Sequence, residues 1–217
     1  MPRTTRAIFS SSPKKVYKYN PYTDSIVALE LSGIHDPDHN VTEVKGSGGR
    51  YFVCEDSIAS WDPASDRVTV VLEPLRPAHF KDAAMDAEGN IWVASTDGLG
   101  LFNPSTGAYV RIPSPMVESA SSVICSPDGK VWVGSGGSLF VYLKDRRSFV
   151  KFDDTDGVYA NNFSAAAGVP FGDRLLMGGS NGFVMIDPSG DFGEIEVPEF
   201  VLSDFYVDGS VSLTRDG

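Results

Sequence analysis

The chain has 217 residues, of which 41% are hydrophobic and 22% are charged, so it can bury a core and is not disordered by composition. It carries 18 lysines and arginines against 29 aspartates and glutamates, which gives a net charge of -11. An acidic surface repels phosphate groups, so we expect neither nucleic acid nor an anionic membrane as a partner. No apolar run approaches the ~20 residues that a membrane helix needs, and the run at 7–9 is too short for a signal-peptide core.

The sequence is a repeat. An Asn-Pro or Asp-Pro pair recurs at intervals of about 42 residues or twice that, at Asn20-Pro21, Asp62-Pro63, Asn103-Pro104 and Asp187-Pro188. The skipped copy falls near Lys144-Asp145, where the proline is missing. A large apolar residue recurs in step, at Phe9, Phe52, Trp92, Trp132 and Leu176.

Each repeat contains four short runs rich in Val, Ile, Tyr, Phe and Trp, bounded by Gly, Asp, Asn and Pro. This pattern is typical of strands and turns, and no helical periodicity of useful length accompanies it. Four short strands in each ~40 to 45 residues is the period of a β-propeller blade. The sequence therefore predicts an all-β fold of four-stranded antiparallel propeller blades.

In chain order, residues 6–31 match only the last three strands of a blade, and complete blades follow at 41–72, 80–113, 119–153 and 161–191. Residues 1–196 are thus predicted as a segment of a larger propeller, while 197–217 begin a different, truncated domain. Such a segment leaves blade faces uncovered, so we expect self-association unless other blades cover them. In the alternative, a strand at 198–207 completes the first blade and closes a five-bladed ring.

Three motifs that suggest chemistry fit turns better. Gly178–Gly182 matches a nucleophile elbow, but a strand follows it and every histidine lies upstream. The central proline of His35–His39 prevents the helical face on which two histidines converge on a metal. In Asp153–Gly157 a calcium loop would place Phe152 and Phe163 where acidic ligands are required. The sequence therefore predicts no metal and no cofactor.

The two cysteines are predicted to be buried, reduced thiols. Cys54 aligns with Ala94 and Cys125 with Met85, so they occupy different strands two blades apart. That separation exceeds the ~7 Å between Cα atoms that a disulfide tolerates.

A ligand is expected on one face of the propeller. Loops that join one blade to the next lie on the same face as the loops between the two middle strands of each blade. Polar and aromatic groups of the kind that sugars contact lie in these loops, and the candidate ligand-binding residues are Arg76, His79, Tyr159, Asn162 and Asn181. No catalytic residue is predicted.

The unit Asp86–Leu99, with Gly89, Trp92 and Gly98, resembles the two-component regulator propeller repeat. That repeat builds the sensor regions of bacterial hybrid two-component histidine kinases. The segment 156–188 is similar to the terminal blade of those sensors, and Pro198–Gly209 resembles the start of the small β-sandwich that follows it.

The resemblance implies a periplasmic sensor segment that recognises a ligand, often a carbohydrate fragment, without catalysis in this chain. Its implied partners are the remaining blades and signalling domains of the receptor. The charge of -11 favours a neutral or weakly charged glycan over a polyanion. The alternative function is a propeller enzyme of the streptogramin-lyase or sugar-lactonase type, which holds a metal or catalytic histidine at the central channel. His79 is the one histidine near a predicted inner strand.

Overall fold

The computed structural model describes residues 8–12, 15–32, 41–54, 56–73, 78–160, 162–190, 192, 205–207 and 210–212. Within these ranges the chain forms 21 β-strands and one 3-10 turn, at Asp154–Asp156. The predicted all-β fold is confirmed. In this part of the chain, no helix has the length and apolar character needed to cross a membrane.

The first sheet, blade 1, has three antiparallel strands, β1 (Ile8–Ser12), β2 (Lys15–Asn20) and β3 (Ser25–Ala28). Three strands are what the sequence predicts for this blade. The chain then buries Leu29 against blade 2 and continues as β4 (Glu30–Ser32), which pairs in parallel with the outer edge of that blade. This outer fifth strand was not predicted.

Blades 2 to 4 each contain four antiparallel strands in chain order. Blade 2 is formed by β5 (Val41–Glu43), β6 (Tyr51–Cys54), β7 (Ser57–Asp62) and β8 (Arg67–Leu72). Blade 3 is formed by β9 (Phe80–Met85), β10 (Ile91–Ser95), β11 (Gly98–Asn103) and β12 (Ala108–Ile112). Blade 4 is formed by β13 (Ser122–Cys125), β14 (Val131–Ser135), β15 (Ser138–Leu143) and β16 (Ser148–Phe152).

Blade 5 is described as three strands, β17 (Phe163–Phe171), β18 (Arg174–Gly179) and β19 (Gly182–Ile186). Residues 191 and 193–204, where its chain continues, lie outside the described residues. A separate hairpin joins β20 (Phe205–Val207) and β21 (Ser210–Ser212). The rest of the predicted following domain at 197–217, and residues 198–204 of the predicted ring-closing strand, also lie outside them.

The hydrophobic core lies between successive blades. Trp92 and Ala94 of blade 3 pack with Val131, Val133 and Phe140 of blade 4 in one buried cluster. Trp132, Val141 and Leu139 of blade 4 join Leu175 and Met177 of blade 5 in the next. Blade-on-blade burial therefore replaces a single central core, as expected of a repeat architecture.

The predicted position of Phe52 in the repeat is wrong by one residue. Cys54 pairs with Ser57 at the end of its hairpin, as Ser95 pairs with Gly98, so Tyr51 rather than Phe52 stands where Trp92 stands. Phe52 instead lies on the opposite face of the blade, in the cluster that contains Leu29. Because side chains alternate along a strand, a one-residue slip moves each of them to the opposite face.

One apolar face of blade 5 is left uncovered by the residues that the structure describes. Leu176 occupies the same position in the strand pairing of blade 5 that Trp132 occupies in blade 4. Both residues therefore lie on the face that is directed toward the next blade. In blade 4 this face is buried, with Trp132 1% exposed. In blade 5 the same face, which we name the forward face, is exposed at Val169 (52%), Phe171 (60%), Phe183 (66%) and Met185 (46%).

Candidate functional site

The centre of the propeller segment holds a buried ion pair that joins three blades. Lys45 follows β5 and its ammonium group contacts the carboxylate of Asp82 on β9, whose side chain is fully buried. The same ammonium donates to the carbonyl oxygen of Val123 on β13, over 3.0 Å. The N–H of Val123 donates in return to Asp82 Oδ2, over 2.8 Å.

Burial raises the pKa of Asp82, and the charge and hydrogen bond of Lys45 oppose that rise. Both carboxylate oxygens accept hydrogen bonds, Oδ1 from the N–H of Ala83 and Oδ2 from Lys45 and Val123. This is the pattern of an ionised carboxylate whose lone pairs are used within the fold. The Lys45–Asp82 pair at the channel is thus engaged in joining blades.

The face predicted to bind a ligand, which we name the loop face, carries the turns at 96–97, 136–137 and 180–181. His79 is exposed there. Its backbone N–H donates to Thr96 Oγ1, and its carbonyl oxygen accepts the backbone N–H of Thr96, each over 3.1 Å. Arg76 lies outside the described residues.

Three other candidates lie together on the loop face beside blade 5. Asn181 Nδ2 donates to the carbonyl oxygen of Tyr159 over 2.8 Å, which fixes the inter-blade loop against the β18–β19 turn. The carbonyl oxygen of Asn162 accepts the N–H of Ser180 over 3.3 Å. Tyr159, Asn162 and Asn181 are all exposed, whereas His79 belongs to the edge of blade 3. The structure therefore groups three of the five predicted residues.

The opposite face, which we name the turn face, carries a groove of about 490 Å³ that the sequence analysis missed. It spans the turns of blades 3, 4 and 5. Its lining residues are Glu88, Asp128, Gly129, Lys130, Leu143, Lys144, Asp145, Arg146, Ser189, Gly190 and Phe192. The sequence feature that could have indicated this groove is the missing proline near residue 145. Strand pairing places Lys144 at the position that Pro104 and Pro188 occupy in the neighbouring blades.

Lys144 forms one wall of the groove through a network shared by blades 3 and 4. Its ammonium donates to Asp86 Oδ2 and to Glu88 Oε2, each over 2.8 Å, and lies 5.5 Å from the centre of the Trp92 ring. Trp92 Nε1 donates to the same Asp86 oxygen over 2.8 Å, and Asp86 Oδ1 accepts the N–H groups of Glu88 and Asn90.

Two pKa values are shifted within this network. Burial raises the pKa of Asp86, but hydrogen bonds from Lys144, Trp92 and Asn90 outweigh it, so the pKa lies below its usual range. Burial lowers the pKa of Lys144, but the bonds to Asp86 and Glu88 outweigh burial and raise it overall. Both groups are therefore charged near neutral pH.

Lys130 forms the second wall, between blades 4 and 5. Its ammonium contacts the Asp128 carboxylate, donates to the carbonyl oxygen of Pro188 over 2.9 Å, and lies 5.3 Å from the centre of the Phe192 ring. Phe192 in turn meets Trp132 with ring centres 5.3 Å apart. This wall therefore combines a charge pair with an aromatic surface.

The two walls differ at one repeated position. Ser126 stands where Asp86 stands, and its hydroxyl is directed to Asp128 and to the carbonyl oxygen of Lys130. The buried Nε1 of Trp132 has no hydrogen-bond partner among the described residues, whereas Trp92 Nε1 is bound by Asp86.

Two of the three motifs assigned to turns are turns. Gly179 and Gly182 pair across a two-residue turn between β18 and β19. Asp153 caps the 3-10 turn, accepting the N–H of Thr155 over 3.1 Å, and Gly157 ends it with φ of 88°. His35 and His39 lie outside the described residues, and no metal-binding group of His, Cys, Asp and Glu side chains occurs within them.

Both cysteines are free, as predicted. Cys54 is buried and Cys125 is partly buried, with its Sγ 3.8 Å from the carbonyl oxygen of Ala84. Burial raises the pKa of each thiol to about 12, so neither is a thiolate at neutral pH.

No protein-family model matches the chain, and no curated protein matches its sequence. Solved structures do match its fold. The extracellular domain of the putative hybrid two-component system BT4673 from B. thetaiotaomicron is 12% identical with a TM-score of 0.66, covering 84% of this chain and 26% of that one. The corresponding domain of BT3049 from the same organism is 13% identical with a TM-score of 0.61, covering 84% and 27%.

Virginiamycin B lyase from Staphylococcus aureus is 10% identical with a TM-score of 0.57, covering 85% of this chain and 67% of that one. The chain thus spans about a quarter of the two extracellular domains, where coverage is 26% and 27%. At such low identity the likeness defines the fold and confirms, at that level, the resemblance to the propellers of two-component sensors. The chain is a segment of a β-propeller.

Proposed function

We propose that this chain is a ligand-recognition segment in the propeller of an extracytoplasmic receptor of a two-component signalling system, responsive to carbohydrate and without catalysis of its own. The observation that carries the proposal is the match of 84% of the chain to the extracellular domains of BT4673 and BT3049, together with the repeat resemblance in blades 3 to 5. The same relationship supports an extracytoplasmic location.

The central channel supports a binding role over an enzymatic one. The buried pair of Lys45 and Asp82 is used to join blades 2, 3 and 4, and His79 lies on the loop face with its backbone held by Thr96. A propeller lyase or lactonase is the second candidate, favoured by the likeness to virginiamycin B lyase. That class needs a reactive group at the channel, where this chain places a structural ion pair.

The forward face supports a partner of the same architecture. Val169, Phe183 and Met185 occupy the places of Ile124, Leu139 and Val141, which blade 5 covers in the preceding interface. A further propeller blade of the receptor is the occupant that this register fits, because it would continue the contact already made between blades 3, 4 and 5.

A glycan array tests the sensor role directly. The purified chain is applied to neutral, uronate-containing and sulfated oligosaccharides, and we expect saturable retention on one or more neutral glycans. Retention on none, or release of product from a streptogramin or a sugar lactone by the purified chain, would contradict the proposal. The loop-face residues Tyr159, Asn162 and Asn181, with His79 and Arg76, remain predicted ligand contacts.

A further inference from the structure

The turn-face groove has the size of a binding site. Its volume of about 490 Å³ is within the ~300 to 1,000 Å³ of small-molecule pockets. Three different blades contribute to it, through Glu88 of blade 3, the 128–130 and 143–146 segments of blade 4, and Ser189, Gly190 and Phe192 after blade 5. A ligand there would contact all three at once.

The charges that line the groove are balanced. Three cationic side chains, Lys130, Lys144 and Arg146, face three carboxylates, Glu88, Asp128 and Asp145. The chain as a whole has a net charge of -11, so this balance is local. The lining charges themselves favour neither a polyanion nor a polycation, and they offer both hydrogen-bond donors and acceptors.

The groove also has apolar surface. Phe192 and Leu143 line it, and the Phe192 ring is held by Trp132 and by Phe152, whose ring centre is 5.4 Å away. An aromatic ring has a negative face that attracts weakly positive C–H groups. A ring fixed by packing can present that surface without a large loss of side-chain entropy.

From this combination we infer that the turn-face groove binds an uncharged, polyhydroxylated ligand, of which a mono- or disaccharide unit is the chemical type. Its hydroxyl groups donate to the carboxylates and accept from the cationic side chains, while its C–H face contacts Phe192. The inference deepens the proposed sensor function by assigning a second, separate site on the face opposite to the predicted loop residues.

Binding at this site would couple blades. Lys144 already joins blade 4 to Asp86 of blade 3, and Lys130 joins blade 4 to Pro188 of blade 5. A ligand that adds contacts across both joints binds only the assembled arrangement, so it stabilises the folded chain by mass action. Ligand binding and the packing of blades 3, 4 and 5 against one another are thus coupled.

The test measures binding of cellobiose, mannobiose, xylobiose and galactobiose to the full chain by calorimetry and thermal shift. We expect at least one disaccharide to bind and to raise the melting temperature, with affinity little changed between low and high salt. Phe192→Ala and Arg146→Met are expected to weaken that binding at least tenfold. Arg147→Met is the matched control, since Arg147 lies in the same exposed turn but outside the lining, and it should bind within about twofold of the wild type.

The outcomes distinguish failure of the groove site from failure of the sensor function. Because Phe192→Ala also removes packing against Trp132, Arg146→Met is the variant that must lose binding while it melts as the wild type does. Undiminished binding in Arg146→Met and Phe192→Ala, with loss in Asn181→Ala, would overturn the groove site and leave the sensor function intact. Failure of every neutral glycan on the array and in solution would overturn both. Tighter, salt-sensitive binding of a sulfated disaccharide would overturn the assignment of an uncharged ligand.

Discussion

At the residue scale, Asp86 binds more hydrogen-bond donors than any other side chain described on the turn face. Its two oxygens bind the ammonium of Lys144, the indole N–H of Trp92 and two backbone N–H groups, and its side chain is 2% exposed. Asp86→Ala leaves a cation and a buried indole N–H without an acceptor, so we expect a loss of about 3 kcal/mol in the free energy of unfolding. Urea denaturation measures it. Glu88→Gln, at the exposed end of the same network, should cost less than about 0.5 kcal/mol.

The lowered pKa of Asp86 predicts a pH dependence. A carboxyl whose pKa is lowered by folding contributes stability that is present above the unfolded-state pKa of about 3.9 and is lost as the pH falls through the folded-state pKa. The difference in unfolding free energy between the wild type and Asp86→Asn should therefore be smaller at pH 3 than at pH 6. A difference that is equal at both values would show that the charge of Asp86 is not what stabilises the network.

The two repeated tryptophans should respond differently to the same change. Trp92→Phe removes the donor to Asp86, whereas Trp132→Phe removes an Nε1 that has no described partner. Both changes lose similar apolar area, so we expect Trp92→Phe to cost about 1 kcal/mol more. Paired thermal or urea unfolding of the two variants measures the difference, and a larger cost for Trp132→Phe would contradict it.

At the element scale, the inner strands are joined by Lys45 and Asp82. Lys45→Met leaves a buried carboxylate without its counter-ion, for which we expect a loss of at least about 3 kcal/mol. The double variant Lys45→Met/Asp82→Asn should lose less unfolding free energy than the sum of the two single variants. It removes both charges, so no buried charge is left without its counter-ion. Costs that simply add in this double-mutant cycle would mean that the pair is not coupled.

The elements themselves were largely predictable. Turn residues and the ~42-residue period place the blades, because each blade must repeat the same hairpins to stack on its neighbour. The register of β6 was not predictable, since Tyr51–Cys54 is apolar on both faces and carries no polar residue to mark one of them. The parallel strand β4 was missed because three residues without a turn of their own leave no pattern.

At the scale of the whole molecule, the forward face is a continuation surface that no other described part of the chain covers. The isolated chain should self-associate through it, since four large apolar side chains there are exposed. Phe183→Lys/Met185→Lys should shift the chain toward monomer in analytical ultracentrifugation. Val110→Lys, at an exposed apolar position on β12, is the control and should leave association unchanged. A wild-type chain that is monomeric at high concentration would contradict this assignment of the face.

The sites were less predictable than the fold because their residues come from separate repeats. Tyr159 and Asn181 could be placed on one face because propeller topology fixes which loops share it. The groove arises where Glu88, Lys144 and Phe192 from separate repeats meet, and each of them reads in sequence as an ordinary turn residue. Only the registered stacking of three blades brings them together.

The central claim, that this propeller segment recognises a neutral glycan, is tested most directly by calorimetric titration of the purified chain with the oligosaccharide that the array retains. We predict saturable binding whose affinity changes little between low and high salt, because the groove lining is charge-balanced. Absence of heat with every neutral oligosaccharide, or slow continuous heat from turnover of the titrant, would contradict the claim.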